Sequence, residues 1–474
     1  MALLTFLGAT QQVTGSCYLI ETHDKQKILL ECGMQQGNEH NNDNNNNGQA
    51  SNSPFSFNPE HIDAVVISHA HIDHSGMLPR LVAEGYRGPI YATEATSELL
   101  EIMLLDAAHI QEKDTEWENR WRARKGKRPI KPLYVTADAE RVLKQREALE
   151  YDTFTEILKG VELKFYDAGH IIGSAIVELV FHEPNNSTRR LVFSGDLGNT
   201  CTPLMRTPEA VKQADVLLLE STYGDRNHRC TEETLDEFAA ILQKAYDDGG
   251  NVMIPAFSVG RTQDILFHLG RFYRQGRLPQ HVVYLDSPMA IRANAVYFRH
   301  HEEFDEENLA MLKEHNIESL EDWLPIIKQT PHPEDSMAIN HTKSGAIIVA
   351  GSGMCNGGRI VHHFKHNLWR PECHLVFTGF QARGTTGRAI VDGVDSVKVL
   401  RDDIAVRAQV HTLGGFSAHA GQSQLLDWIS HFDNSPELYL IHGETDKMHV
   451  LQAKIKQQLG WDASIPELGD RIAI

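Results

Sequence analysis

Cysteine is scarce in this sequence, with six in 474 residues (Cys17, Cys32, Cys201, Cys230, Cys355 and Cys373), no CxxC and no clustered spacing. That excludes a disulfide-built scaffold and a cysteine zinc motif, and reads as scattered thiols in a reducing cytoplasm. Long apolar runs are also missing. Nothing approaches the roughly 20 apolar residues of a membrane helix, so no membrane partner is expected. The apolar opening MALLTFLGATQQVTGSCYLI carries no basic residue before Lys25 and is broken by Gly8, Thr10, Gln11 and Gln12. A short strand pair is predicted there rather than a leader. Positive charge is in deficit, since 45 Lys and Arg against 64 Asp and Glu leave a net charge of −19. Such a chain does not hold nucleic acid by bulk charge, although a local basic groove is compatible with it. No internal repeat is present.

What the sequence has in quantity is histidine, 26 residues gathered in a few short segments. The length predicts two domains, or one domain with a large insertion. The first third reads as strands (LLTFLG, CYLIE, KILLE, DAVVISH), the last of them ending directly in a His-rich loop. The Asn-dominated tract from Asn38 to Pro54 cannot bury apolar surface and reads as a surface loop without function. Residues 94–160 look helical. They include a basic island, NRWRARKGKRPIKP, in which Arg120, Arg122, Arg124, Lys125, Lys127, Arg128 and Lys131 lie beside Trp117 and Trp121. It reads equally as a polyanion contact and as a solvated helix end. Strands return from residue 161. The alternation TLDEFAAILQKAYDDGG, NVMIPAF, TQDILFHLGRFYRQG, HVVYLDS then predicts an α/β unit with a parallel sheet.

The chemistry concentrates in SHAHIDHSG, which supplies His69, His71, Asp73 and His74. At an extended strand end, residues two apart share a side, so His69 and His71 can grip one metal. Asp73 and His74, beyond the turn, can face a second. Imidazole nitrogens and carboxylate oxygens suit zinc at about 2.0–2.2 Å. Three further pieces fit: His170 in DAGHIIGSA, Asp196 after an apolar strand in FSGDLG, and His442 in LIHGE. Each is weak alone. Together they complete two metal sites.

HAHIDHSG followed by the single His, the Asp and the late His resembles the metallo-β-lactamase superfamily. LLLESTYGDR, IPAFSVGRTQ, VYLDSPMA, SGMCNGGRI and FSAHA further resemble its β-CASP branch, ribonucleases related to the endonuclease of messenger-RNA 3′-end formation. The likeness runs from residue 3 to about residue 445. It implies an α/β fold, the four-layer αββα metallo-β-lactamase domain with an inserted α/β β-CASP domain. The expected bounds are 1–222 and 398–474 for the two parts of the first domain and 223–397 for the insertion.

The resemblance implies two zinc ions per chain, one on His69, His71 and His170, the other on Asp73, His74 and His442, with Asp196 bridging them. It implies a metal-bridging hydroxide as nucleophile on a phosphodiester. His419, in FSAHA, is the implied general acid and Glu220, in ESTYG, its partner; a carboxylate neighbour orients an imidazole and raises its pKa. Glu31 stands where the family usually has Asp, one methylene longer and beside the metal loop. Arg383 stands where relatives tend to have an acidic residue. Ser352 to Arg359 resembles a helix N-terminus that offers N–H groups to phosphate, and Arg261 and Arg388 are candidates for charge-assisted contacts to RNA.

The expected partner is single-stranded RNA, since an insertion between the first ligands and His442 would cover the site and exclude a duplex by shape. A homodimer is compatible with the sequence, and endonucleolytic and exonucleolytic modes stay open. Three other readings compete. The DNA-nuclease branch typically has Val where His442 stands. Small-molecule hydrolases of the glyoxalase II or lactonase kind lack the insertion. A non-catalytic scaffold subunit would have lost ligands that are all present here.

Overall fold

The computed structural model describes residues 2–35, 54–184, 187–229, 231–379, 381–382 and 384–474. Arg383 and the Asn-rich tract up to residue 53 lie outside the described residues. The chain divides into two compact units, Met1–Gly198 with Thr207–Asn227 and His419–Ile474, and Asn199–Arg206 with His228–Ala418. The sequence reading puts the return to the first domain at residue 398; these units divide at residue 419.

The first unit holds two seven-stranded sheets. One runs Arg471–Ala473, Leu3–Phe6, Tyr18–Glu21, Lys27–Leu30, Ala64–Val66, Ile90–Thr93 and Arg146–Leu149. The other runs Ala463–Ser464, Glu437–Ile441, Val216–Glu220, Thr188–Phe193, Ala175–His182, Val161–Asp167 and Thr155–Leu158. The N-terminal strand pair expected from the sequence forms, antiparallel, with Phe6 opposite Tyr18. Strict alternation in VELKFYD sends Val161, Leu163 and Phe165 inward, where they meet Phe6, Tyr18, Ile20, Val177, Phe193 and Leu218 in one core. This is the period-two pattern of sheets packed face to face. The opposite face of the second sheet (Ile176, Val192, Leu217, Leu219, Leu440) is covered by Leu425, Trp428 and Ile429 and by Met448, Leu451 and Ile455. Those residues lie on the helices Gln422–Ile429 and Thr445–Leu459. The helix Glu94–Arg124 packs against strands of the first sheet, giving the expected αββα layers.

The helical reading of residues 94–160 stops short. Helices span Glu94–Arg124 and Thr136–Leu143, after which Arg146–Leu149 and Thr155–Leu158 are strands at the sheet edges. Edge strands bury little, and REAL alternates too weakly to signal a strand by itself.

The second unit is built on six parallel strands in the order Ile327–Gln329, Val282–Asp286, Ala346–Ala350, Val252–Pro255, His374–Phe377 and Gln409–Thr412. VMIP, AIIVA and HLVF are buried along their whole length, as strands covered on both faces must be. On the helix Arg261–Arg274, burial pushes the Asp264 carboxyl up to about 6 although Arg261 Nη1 lies 3.3 Å away and opposes the shift. An unfolded Asp ionises near 3.8, so this group leaves stability intact below about pH 4 and lowers it as pH rises towards about 6. Asp264→Asn is therefore expected to flatten that fall by on the order of 2 kcal/mol, read as the difference in denaturant midpoints between pH 4 and 7. Parallel curves for parent and variant would refute the assignment.

Candidate metal centre

Parallel strands deliver the site. In the second sheet Phe193 pairs with Leu218 and Glu220 with Ile441, so the carboxyl ends of three neighbouring parallel strands carry Asp196, Glu220 and His442 to one edge. In the first sheet Leu30 pairs in parallel with Val66, which brings Glu31 beside Ser68 and His69. Crevices outside the carboxyl ends of parallel strands are where α/β proteins place ligands. His170 comes from the loop between Val161–Asp167 and Ala175–His182. Gly33 lets the chain pass the Asp73 turn, since a Cβ there would lie 1.7 Å from the Asp73 carbonyl oxygen.

His69, His71, His170 and Asp196 form one cluster whose ligand atoms all lie within 4.8 Å of one another. His69 Nε2 is 3.0 Å and His170 Nε2 3.3 Å from His71 Nδ1. Asp196 Oδ2 is 3.5 Å from His69 Nε2 and 3.7 Å from His170 Nε2. Asp73, His74 and His442 form a second cluster. There His74 Nε2 and His442 Nε2 are 3.2 Å apart, and Asp73 Oδ2 is 3.7 Å from His442 Nε2. Asp196 Oδ1 faces this cluster, 3.4 Å from His74 Nε2 and 3.5 Å from His442 Nδ1. The two oxygens of one carboxylate thus look at different clusters. Among the described residues Oδ1 is buried without a hydrogen-bond partner, a cost that a cation between these groups would remove. Burial holds His69 and His71 below the usual histidine range, towards the neutral form that binds metal. The donors of both clusters are therefore of the nitrogen and oxygen kind that metal ions take.

Glu31 resolves the departure from the family pattern. Its Oε1 accepts from the Ser68 backbone N–H at 2.6 Å, and Oε2 accepts from Ser68 Oγ at 3.0 Å and contacts His74 Nδ1. The longer side chain starts from a residue with φ +64° and still fixes His74 by its far nitrogen, as partners of metal-binding histidines do. Ser68, whose Oγ also lies 3.0 Å from His69 Nδ1, and Thr222, whose Oγ1 lies 3.2 Å from His442 Nδ1, were not among the sequence candidates. Their positions inside SHAHIDHSG and ESTYG were the available signal.

His419 Nδ1 is 3.4 Å from Glu220 Oε1 and 3.8 Å from Asp196 Oδ2, with its ring 4.6 Å from that of His170. Glu220 is fully buried and accepts backbone N–H groups of Leu197 at 3.1 Å and Thr222 at 3.0 Å. Burial works against a charged His419, yet Glu220 and Asp196 outweigh it and push its pKa up to about 9.

The four candidate RNA contacts all lie in the second unit. Arg359 donates to Asp286 Oδ1 at 2.7 Å and to the carbonyls of Thr330 and Pro331. Arg261 pairs with Asp264, and Arg388 with Asp392 at 2.8 Å. The Ser352 segment folds back on itself, the Ser352 N–H reaching Gly357 O and the Ile360 N–H reaching Gly351 O.

Residues 28–248 match a beta-lactamase superfamily domain, 262–390 a Beta-Casp domain, and 403–466 a Zn-dependent metallo-hydrolase RNA specificity domain. Ribonuclease TTHA0252 of Thermus thermophilus is 39% identical over 469 residues, covering 98% of this chain and 99% of that protein. The chain belongs to the β-CASP branch of the metallo-β-lactamase superfamily. Transcription termination factor FttA of Methanosarcina mazei is 30% identical over 96% of this chain and 69% of its own length. In fold alone, a solved protein of unknown function from Enterococcus faecalis V583 is similar at 12% identity, with a TM-score of 0.55 over the whole of both chains. Membership of this branch of metallo-hydrolases implies bound metal ions. Among the described residues, no helix is long and apolar enough to cross a membrane.

Proposed function

We propose that the chain hydrolyses phosphodiester bonds of single-stranded RNA with two zinc ions. His69, His71 and His170 would hold one ion, Asp73, His74 and His442 the other, with Asp196 between them. Family membership makes it a hydrolytic nuclease, and a ribonuclease of Thermus thermophilus is similar to it over nearly its whole length. The observation that carries the two-ion reading is the division of the Asp196 oxygens between two histidine clusters, with Oδ1 in no hydrogen bond among the described residues.

Paired metals of this kind polarise a phosphoryl oxygen and lower the pKa of water. The protein's own groups supply the rest. Glu31 and Ser68 hold His74 and His69 in orientation. Glu220 Oε1, 3.4 Å from His419 Nδ1, would accept the N–H there, and Nε2 would pass a proton to the departing 3′ oxygen. Addition of water across the P–O bond then gives a 3′-hydroxyl and a 5′-phosphate. General acid help of this type contributes typically ~10²–10⁴-fold.

Protein produced with zinc should hold close to two equivalents by elemental analysis, and less than half an equivalent would end the two-ion reading. Asp73→Ala with His74→Ala should empty mainly one position. Product mapping with end-labelled RNA and matched single-stranded DNA tests the substrate class. Single-stranded RNA should be cut and a blunt RNA duplex of the same sequence largely spared. Equal rates on duplex and single strand would mean a wide, open site instead.

A further inference from the structure

The helix Glu94–Arg124 joins the metal loops to a surface the hydrolytic site does not use. Its first turn is tied to the His170 loop, where Thr96 Oγ1 donates to Gly173 O at 2.7 Å. At ~1.5 Å per residue, Arg124 lies on the order of 40 Å further along the helix. At that end Arg120, Arg122, Arg124, Lys125, Lys127, Arg128 and Lys131 occur with no carboxylate among residues 120–131 of a chain whose net charge is −19.

The segment is built, not frayed. Asn119 Nδ2 donates to Ile130 O at 2.9 Å and its Oδ1 accepts from the Ile130 N–H at 2.8 Å, while Arg122 Nε donates to Arg128 O at 2.7 Å. These bonds fold residues 125–130 back along the last helical turns. Lys125 Nζ sits 3.7 Å and Lys127 Nζ 5.6 Å from the Trp121 ring centroid. Among the described residues only Arg120, with Glu116, and Arg122, with Glu118, meet carboxylates, each at 3.8 Å. Arg124, Lys125, Lys127, Arg128 and Lys131 have no ion-pair partner among the described residues. Trp117 is 59% exposed and Ile110 51% exposed. At seven-residue spacing, Ile110, Trp117 and Arg124 fall on one line of the helix. A helix end attracts a cation or two through its dipole, but that explains neither seven cations nor an exposed tryptophan.

We propose that this helix end is a second RNA-binding surface, which holds a strand remote from the cut site by phosphate contacts to the unpaired cations and by base stacking on Trp117. Fixed cations beside an exposed aromatic ring are how single strands are held without sequence preference, and the folded-back segment is ordered before the strand arrives. The proposal rests on the RNA reading of the metal centre. It implies that a strand must span roughly 12 stacked nucleotides, at ~3.4 Å each, to engage both places.

The test uses the full chain loaded with zinc. Filter binding compares the parent with a variant carrying Arg124→Gln, Lys125→Gln, Lys127→Gln and Arg128→Gln, and with Trp117→Ala, on single-stranded RNA of about 40 nucleotides. The quadruple variant should bind about tenfold or more weakly, with a salt slope shallower by up to ~2.8, or ~0.7 for each phosphate no longer neutralised. Trp117→Ala should bind about tenfold more weakly with the slope unchanged. Cleavage of an oligonucleotide of about six nucleotides, too short to reach the surface, should proceed at the parental rate in both variants, which also shows that the site is intact. Unchanged affinity and slope would overturn the proposal, and would be the result if the surface served an acidic protein. If the parent cuts neither RNA, the hydrolytic reading fails, and the binding comparison still decides the surface.

Discussion

Asp196→Ala is expected to strip bound zinc from both positions and to slow RNA hydrolysis by on the order of 10³-fold or more, a loss of several kcal/mol of transition-state stabilisation. The reason is geometric. Oδ2 faces His69 and His170 while Oδ1 faces His74 and His442, so one side chain serves two clusters. Among the described residues the ion pairs of Asp73 are with His74 and His442 of the second cluster, and Asp73→Ala should therefore leave about one equivalent of metal. Elemental analysis of the two variants, with circular dichroism to show that both are folded, separates these outcomes. Full metal content in Asp196→Ala would remove the bridging role and with it the two-ion arrangement.

His419→Ala should behave in the opposite way, retaining zinc and RNA affinity while losing ~10²–10⁴ of turnover. Glu220→Gln should give an intermediate loss. The single amide oxygen can accept only one of the Leu197 and Thr222 N–H groups, which go to different carboxylate oxygens, and the amide no longer provides the negative charge beside Nδ1 that favours a protonated ring. In that variant the fall of activity with rising pH should set in at a lower pH than in the parent. Parental activity of His419→Ala across neutral pH would exclude the proton-donor role. Loss of metal would instead make His419 a ligand.

Much of the centre was legible because SHAHIDHSG places four donors within six positions, on the end of the buried strand Ala64–Val66. A strand end and a single turn fix their directions with little help from elsewhere. The α/β character of the second unit was legible because a parallel sheet covered on both faces demands apolar runs between helices, and NVMIPAF and HVVYLDS supply two of them. Arg359 shows where this stops. It ends a segment that resembles a helix N-terminus offering N–H groups to phosphate, yet its guanidinium donates to Asp286 and to the carbonyls of Thr330 and Pro331. Those partners are set by the strand Val282–Asp286 and the segment that follows Ile327–Gln329, which no local pattern around Arg359 reveals.

The sequence by itself determined which chemistry is available, through donor types clustered at short spacing and the strand and helix periodicities around them. Tertiary structure decided how those donors are shared. His74, beyond the first-sheet strand Ala64–Val66, and His442, beyond the second-sheet strand Glu437–Ile441, stand 368 positions apart and meet at 3.2 Å, because the two sheets share one core. The parallel pairing of Thr188–Phe193 with Val216–Glu220 carries Asp196 to the same edge, where each oxygen addresses a different cluster. The pairing of Lys27–Leu30 with Ala64–Val66 lets the longer Glu31 reach His74. Short-range order can be read from spacing because the chain geometry of a turn is nearly fixed. Long-range register follows from the packing of the two sheets as a whole, and no segment of the chain carries it alone.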